Sequence, residues 1–276
     1  MYLSEINIYP IKSLAGISLY DSTVKQRGLQ FDRRWMLINE KNEFLTQREF
    51  PLMATVNVTI RAESLIVSYA GSEKQIAFQP QREETVSVKI WSSKCRAKVY
   101  ENETNEWFSN ILQTNCRLVL MPSETRRKVN YFYAVHRDDH VSFADGYPFL
   151  LIGENSLNDL NSKLENPVPM NRFRPNFVVK DSDAFAEDTW KKIKIGNTLF
   201  HIVKPCGRCI ITTIEQRTGV SDGKEPLKTL ATYRIPKKSV KKKILFGQNL
   251  IAENAGGILR IGDKVEVIEK KNQPKF

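Results

Sequence analysis

Short stretches of alternating apolar and polar residues recur along this 276-residue chain, and they restrict its fold more than any other feature. Residues 3–9 alternate until Pro10, which cannot donate a backbone hydrogen bond, stops the run. Residues 35–39 and 43–46 flank Glu40-Lys41-Asn42, the pattern of a hairpin turn. Residues 56–60, 64–69 and 85–91 alternate in the same way, and 117–121 reads as a closing strand. Residues 105–112 have helical spacing, as do 156–163, where Leu157, Leu160 and Leu164 share a face. Residues 149–152, 177–179, 194–196 and 199–203 read as further short strands, and 258–268 as a turn between two strands. The expected fold is therefore mainly β (α+β), built from barrel-like or sandwich domains with a few helices.

Hydrophobic residues make up 41% of the chain and include 14 Phe, 9 Tyr and 4 Trp, enough for one large or two modest cores. The polar stretch at 122–128 reads as a crossing between domains. It divides the chain into expected units 1–121 and 122–270, with 271–276 a frayed tail. No apolar run reaches the 18 or so residues of a membrane span, and residues 1–6 lack the basic start of a signal peptide. Four cysteines in a chain of this length make no disulfide framework, so a reducing, cytoplasmic setting is expected. The net charge of +11 suits anionic ligands or an acidic partner. Part of it lies in Lys237-Lys238 and Lys241-Lys242-Lys243, where no aromatic residue is interleaved for base stacking. That run reads as a solvated loop, and nucleic acid is not an expected partner.

Chemistry concentrates at Cys206-Gly207-Arg208-Cys209. The following Ile210-Ile211-Thr212-Thr213-Ile214 is entirely β-branched and predicts a strand, whereas a thioredoxin-type redox pair sits at a helix start. A closed zinc site needs two local ligand pairs. His136 and His140 would be the second pair, but they read as exposed loop histidines. His201 reads as a strand residue, and Cys95 and Cys116 as isolated core or surface thiols. What remains is a thiolate on a loop between two strands, with Arg208 and Lys204 expected to favour its charge.

Six local patterns follow one another in an order that resembles a known family. They are Tyr9-Pro10-Ile11-Lys12-Ser13, Asp32-Arg33-Arg34-Trp35 and Phe143-Ala144-Asp145-Gly146-Tyr147-Pro148-Phe149. Asn171-Arg172-Phe173-Arg174-Pro175-Asn176, Cys206-Gly207-Arg208-Cys209 and Leu245-Phe246-Gly247-Gln248 complete the set. The chain resembles, over nearly its whole length, MOSC proteins with a MOSC N-terminal β-barrel domain. It looks closest to the mitochondrial amidoxime-reducing component and its bacterial relatives. The resemblance implies an N-terminal MOSC-N barrel, a C-terminal MOSC barrel and a molybdenum–molybdopterin cofactor. It implies Cys209 as the metal ligand at the catalytic centre, a role suited to a soft thiolate. Lys12, Ser13, Arg33, Asp145, Arg174, Asn176 and Arg208 match cofactor-binding positions, and Cys206 matches a position that is not generally a ligand.

The implied activity is reduction of N-hydroxylated small molecules such as amidoximes and hydroxylamines. No cysteine follows Cys209, so an iron–sulfur domain like that of some bacterial relatives is not expected. The membrane segment of the mitochondrial relatives is also not expected. Electrons would come from a separate flavin, haem or iron–sulfur protein. Two alternatives use the same site: a sulfur-handling protein with a cysteine persulfide, and a cofactor carrier that does not turn over.

Overall fold

The computed structural model describes residues 1–221, 223–237, 242–272 and 276. Lys238 and Lys241 of the lysine run, and residues 273–275 of the expected tail, lie outside the described residues. The fold is mainly β, as the alternation predicts, with three α-helices among the described residues.

The largest sheet has eight strands. Their spatial order is Val265–Lys270, Trp190–Ile195, Thr198–Gly207, Leu245–Ala252, Phe149–Gly153, Phe177–Lys180, Tyr2–Ile8 and Ile17–Leu19. Every neighbouring pair is antiparallel except Phe149–Gly153 with Phe177–Lys180. That parallel pair is joined through the helix Glu154–Asn161, as a parallel connection requires. The chain's first strand thus completes a sheet whose other long strands all come after residue 148. Leu3, Ile6, Ile8, Phe149, Phe177, Trp190 and Phe200 fill one face as a continuous core.

The N-terminal half adds smaller sheets. One runs Trp35–Ile38, Arg117–Leu120, Ser93–Val99, Thr85–Ile90, and a second runs Asn57–Arg61, Ser64–Tyr69, Ser72–Ala77. The helix Asn102–Leu112 buries Phe108 and Leu112 against them. Trp35 Nε1 donates to the Tyr100 hydroxyl (2.7 Å), which itself donates to the Ala77 and Phe78 carbonyls (2.9 Å each). The expected turn at 40–42 is present, with Asn42 at φ 58° and Asn39 N donating to Glu43 O (2.9 Å). The strands Ile258–Arg260 and Val265–Lys270 do not pair with each other. The first joins Asp21–Lys25 and the second joins Trp190–Ile195.

Two local expectations are corrected. The strand Thr198–Gly207 ends before Cys209, and Ile210–Thr213 forms a 3₁₀ turn instead of a strand. Its threonines bond backwards: Thr212 Oγ1 donates to Cys209 O (3.0 Å) and Thr213 Oγ1 to Ile210 O (2.8 Å). Such i→i−3 hydroxyl bonds stabilise a turn over an extended chain and override β-branching. His140 is buried, not exposed; its Nδ1 lies 2.8 Å from the Asp138 carbonyl, and burial lowers its pKa. His136 is half exposed, and His201 bonds Glu253 from its strand.

In the core, Asp188 accepts from Arg234 Nη2 and from Gln248 Nε2, both at 2.6 Å, with all three residues buried. Removing one partner of a buried ion pair leaves the other charge uncompensated. Asp188→Ala is therefore expected to cost about 3–5 kcal/mol of stability, read as a lower urea midpoint at unchanged slope. A midpoint equal to wild type would contradict the bracing role.

Candidate functional site

Four backbone and side-chain bonds zip the segment at 9–13 to the one at 32–35. Tyr9 N donates to Asp32 Oδ1 (2.8 Å), Arg33 N to Tyr9 O (2.9 Å), Trp35 N to Pro10 O (3.1 Å) and Lys12 N to Trp35 O (2.8 Å). Phe143 N donates to Arg33 O (2.9 Å), adding a third segment. Arg127 braces that segment through the Ser142 and Ala144 carbonyls and so positions Asp145. Asn176 sews in the fourth. Its Nδ2 donates to Asn7 O (3.0 Å), its Oδ1 accepts from Leu150 N (3.1 Å), and its backbone bonds both Asn7 and Leu150 at 2.8 Å.

The result is a cleft lined by Lys12, Ser13, Arg33, Asp145, Arg174, Asn176, Arg208 and Cys209, so the structure brings all eight residues singled out in the sequence together. Six cations line it in all, with Arg48 and Arg172 added to Lys12, Arg33, Arg174 and Arg208. Asp145 is its one carboxylate among the described residues.

Each cation is held differently. Arg33 pairs with buried Asp32 (2.7 Å); burial lowers its pKa, but Asp32 outweighs that and the net shift is upward. Arg174 donates to Leu14 O (2.7 Å) and Gln216 Oε1 (3.1 Å), and burial pulls it down to about 10. Both guanidinium groups lie over the Tyr9 ring, Arg33 at 4.4 Å and Arg174 at 4.1 Å from its centroid. Each makes a cation–π contact with the ring, which offsets part of the cost of gathering two like charges there. Burial pushes the Tyr9 hydroxyl up to about 12, so it stays neutral and donates to Pro175 O (3.1 Å). Lys12 is buried and lowered by desolvation; its Nζ meets Asp145 Oδ1 at 2.5 Å. The Asp145 side chain is 63% exposed; partial desolvation in the cleft raises its carboxyl, but Lys12, Arg48 and the Trp91 indole N–H together hold it well below the usual carboxylate range. Asp145 is thus ionised at neutral pH and has no proton to give.

Ser13, Arg33 and Arg174 all adopt positive φ, at 70°, 49° and 53°. This region is sparsely populated by non-glycine residues, and its use here marks a backbone fixed by its surroundings. Gly247 follows the same logic at φ 78°: a Cβ there would lie 2.8 Å from Leu151 O and 3.2 Å from Arg208 Nη2. Glycine lets Arg208 lie against that strand, donating to Phe246 O (2.7 Å) and Phe173 O (2.9 Å).

The two cysteines differ. Burial raises the Cys206 thiol, and its nearest partner is the Gly207 carbonyl at 3.9 Å. Cys209 receives a hydrogen bond from Arg48 Nη2 at 3.3 Å. Arg208 acts on the pair by charge, opposing the rise of the Cys206 thiol, while its N–H groups bond backbone carbonyls; Lys204 lies over the Tyr133 ring at 4.2 Å. Of the two cleft cations that sequence reading did not single out, Arg172 and Arg48, the second is the one that meets the thiol. It stacks on Trp91 (4.8 Å), and nothing in its local pattern connects it to a cysteine 161 positions away.

This donor set fits a particular kind of guest. Six cations against one carboxylate favour a polyanion, and Arg208 Nη2 is buried without a hydrogen-bond partner. No group of three or more His, Cys, Asp or Glu able to hold a metal exists among the described residues. A metal at Cys209 would therefore have to arrive carrying its other ligands, as in an anionic organic cofactor. The fold and site describe a mainly β protein with a cation-lined cleft, in which Cys209 accepts a hydrogen bond from Arg48.

Comparison with known proteins gives the family. The MOSC N-terminal beta barrel domain model matches residues 1–115 and the MOSC domain model matches residues 138–266. The chain belongs to the MOSC family with an N-terminal MOSC β-barrel domain. It is 34% identical to mitochondrial amidoxime-reducing component 1 of Mus musculus over 279 residues, covering 96% of this chain and 82% of that protein. Against the Homo sapiens component 1 the identity is 34% over 284 residues, with coverages of 96% and 82%. The Rattus norvegicus component 2 is 34% identical over 278 residues, with coverages of 95% and 82%.

Asn176→Ala is expected to lower stability by about 1–3 kcal/mol, because it strips buried backbone groups of their partners. An unchanged urea midpoint would contradict the stitching role. Lys12→Gln is expected to weaken pyrophosphate binding on the order of ten- to a hundredfold in calorimetry, the loss of one charge-assisted bond. Equal affinity for wild type and variant would remove Lys12 from the anion site.

Proposed function

We propose that this chain is a molybdenum-cofactor-dependent reductase of N-hydroxylated small molecules, amidoximes and hydroxylamines among them. The observation that carries the reading is a cation-supported thiol, Cys209, beside a cleft whose other walls suit an anionic organic group. The names of the relatives, amidoxime-reducing components, support the same reaction class. When bound, the molybdenum–molybdopterin cofactor supplies the two-electron chemistry that turns an N–OH group into an amine and water.

The chain's own residues bind and orient. Lys12, Ser13 and Arg33 would hold the cofactor's phosphate through charge-assisted bonds, Arg174 would grip the cofactor from the C-terminal unit, and Arg208 would contact it beside Cys209. Cys209 is the protein's ligand to the metal, and Arg48 holds its sulfur in place. Asn176 acts through the segments it joins, and Asp145 orients Lys12. The division near 121 and 122 belongs to the same proposal, as the two units would grip the cofactor across their seam.

No described helix is long and apolar enough to cross a membrane. All four cysteines are free thiols, which suits a reducing compartment such as the cytoplasm. The donor would be a separate acidic protein carrying flavin, haem or an iron–sulfur cluster, attracted by the net charge of +11.

Protein purified from a host that makes molybdopterin is expected to contain molybdenum and pterin in equal amounts and to reduce benzamidoxime with a reconstituted donor chain. Cys209→Ala is expected to lose the metal. Metal-free wild type, or full metal retention in the variant, would overturn the ligand assignment. Sulfide release without pterin would favour the persulfide alternative, and bound cofactor without turnover the carrier.

A further inference from the structure

Adjoining the cleft at Arg48 lies a second cavity of about 530 Å³. Its walls are mostly apolar, built from Pro51, Ile210, Ile214, Leu227, Ala231 and Ile244. Two links tie it to the thiol. Ile210 directly follows Cys209 and is 55% exposed, and Arg48 lines both cavities while donating to Cys209 Sγ. The walls are preformed. A bridge between Ile214 and Ser221 and a 3.0 Å contact between the Thr213 and Ser221 hydroxyls hold one side. On the other, the helix Leu227–Tyr233 is anchored by Leu230, which packs with Phe246 in the core. The charged residues of the lining are Arg48, Lys224 and Lys228, all cationic.

We propose that this cavity is the subsite for the apolar body of the substrate, an aryl or alkyl group, and that its cationic lining admits an uncharged N-hydroxyl head while repelling the charged product. The proposal rests on the reductase reading and adds a selectivity to it. The volume is that of a small-molecule pocket and suits a body of one or two rings. Reaching Cys209 from there requires the ligand's polar head to pass beside Arg48. An amidoxime is neutral near pH 7. Its reduction takes two electrons from the donor protein and three protons from solvent, breaks the N–O bond, and yields water and a protonated amidine. The new cation then meets like charges on Arg48, Lys224 and Lys228 as it leaves past the lining, and this repulsion favours its departure.

The test uses the full chain, first without cofactor, with benzamidoxime and benzamidine as probes in ligand-observed NMR. Ala231→Trp, which fills the cavity, is expected to abolish benzamidoxime binding. Lys228→Glu, an exposed change that spares the fold, is expected to tighten benzamidine binding at least fivefold. In the loaded enzyme, Ala231→Trp is expected to raise KM for benzamidoxime at least tenfold more than KM for hydroxylamine, which has no body to place. Benzamidoxime binding retained by Ala231→Trp, or benzamidine affinity unmoved by Lys228→Glu, overturns the subsite. The binding arms need neither metal nor electrons. Binding lost as expected in a protein that reduces nothing would therefore sustain the subsite and sink the reductase reading.

Discussion

The pairing of Tyr2–Ile8 with Phe177–Lys180 is the contact on which the rest of the molecule depends. It places the segment after Ile8 beside the one before Phe177, so Lys12 and Ser13 share a cleft with Arg174 and Asn176. The strand is held by more than its ladder. Leu3, Ile6 and Ile8 are fully buried in the eight-stranded sheet's core, and Asn176 bonds Asn7 through both backbone and side chain. Burying three such aliphatic side chains contributes roughly 5–9 kcal/mol, a large share of a typical net stability. The cleft is therefore a product of the same burial that stabilises the fold.

Concentrating six cations in one cleft opposes folding, and the surrounding structure offsets that cost locally. Asp32 neutralises Arg33, Asp145 neutralises Lys12, and the Tyr9 ring makes cation–π contacts with both Arg33 and Arg174. Main-chain carbonyls of Leu14, Phe173 and Phe246 take up further guanidinium donors. The positive φ of Ser13, Arg33 and Arg174 is a second local cost, of order 1–3 kcal/mol each, borne at the residues that face the cleft.

Much of the fold was legible because a half-buried strand must alternate. The segments around 3–9, 56–60, 64–69, 85–91 and 117–121 all became strands. Ser72–Ala77 was missed because it is a polar, mostly exposed strand whose one fully buried side chain is Ile76. Pairing was not legible: nothing local to Ile258–Arg260 and Val265–Lys270 shows that they take different partners. At 210–214 the pattern misled, because threonine hydroxyls bond the backbone locally and reward a turn. The cleft residues could be named from ordered motifs, but neither their strained backbone nor Arg48 could. The strain falls on non-glycine residues, and Arg48 meets Cys209 only through tertiary structure.

The place of the first strand also sets a timetable. Phe177 is made about 170 residues after its partner Ile6. At the usual speed of translation that interval is roughly ten to thirty seconds. Throughout it an apolar strand waits without its sheet, exposed to wrong partners and to chaperones. Two walls of the cleft cannot meet until that wait ends, and Cys209 is made later still. Whatever fills the cleft can be loaded only once the chain has been made through Cys209.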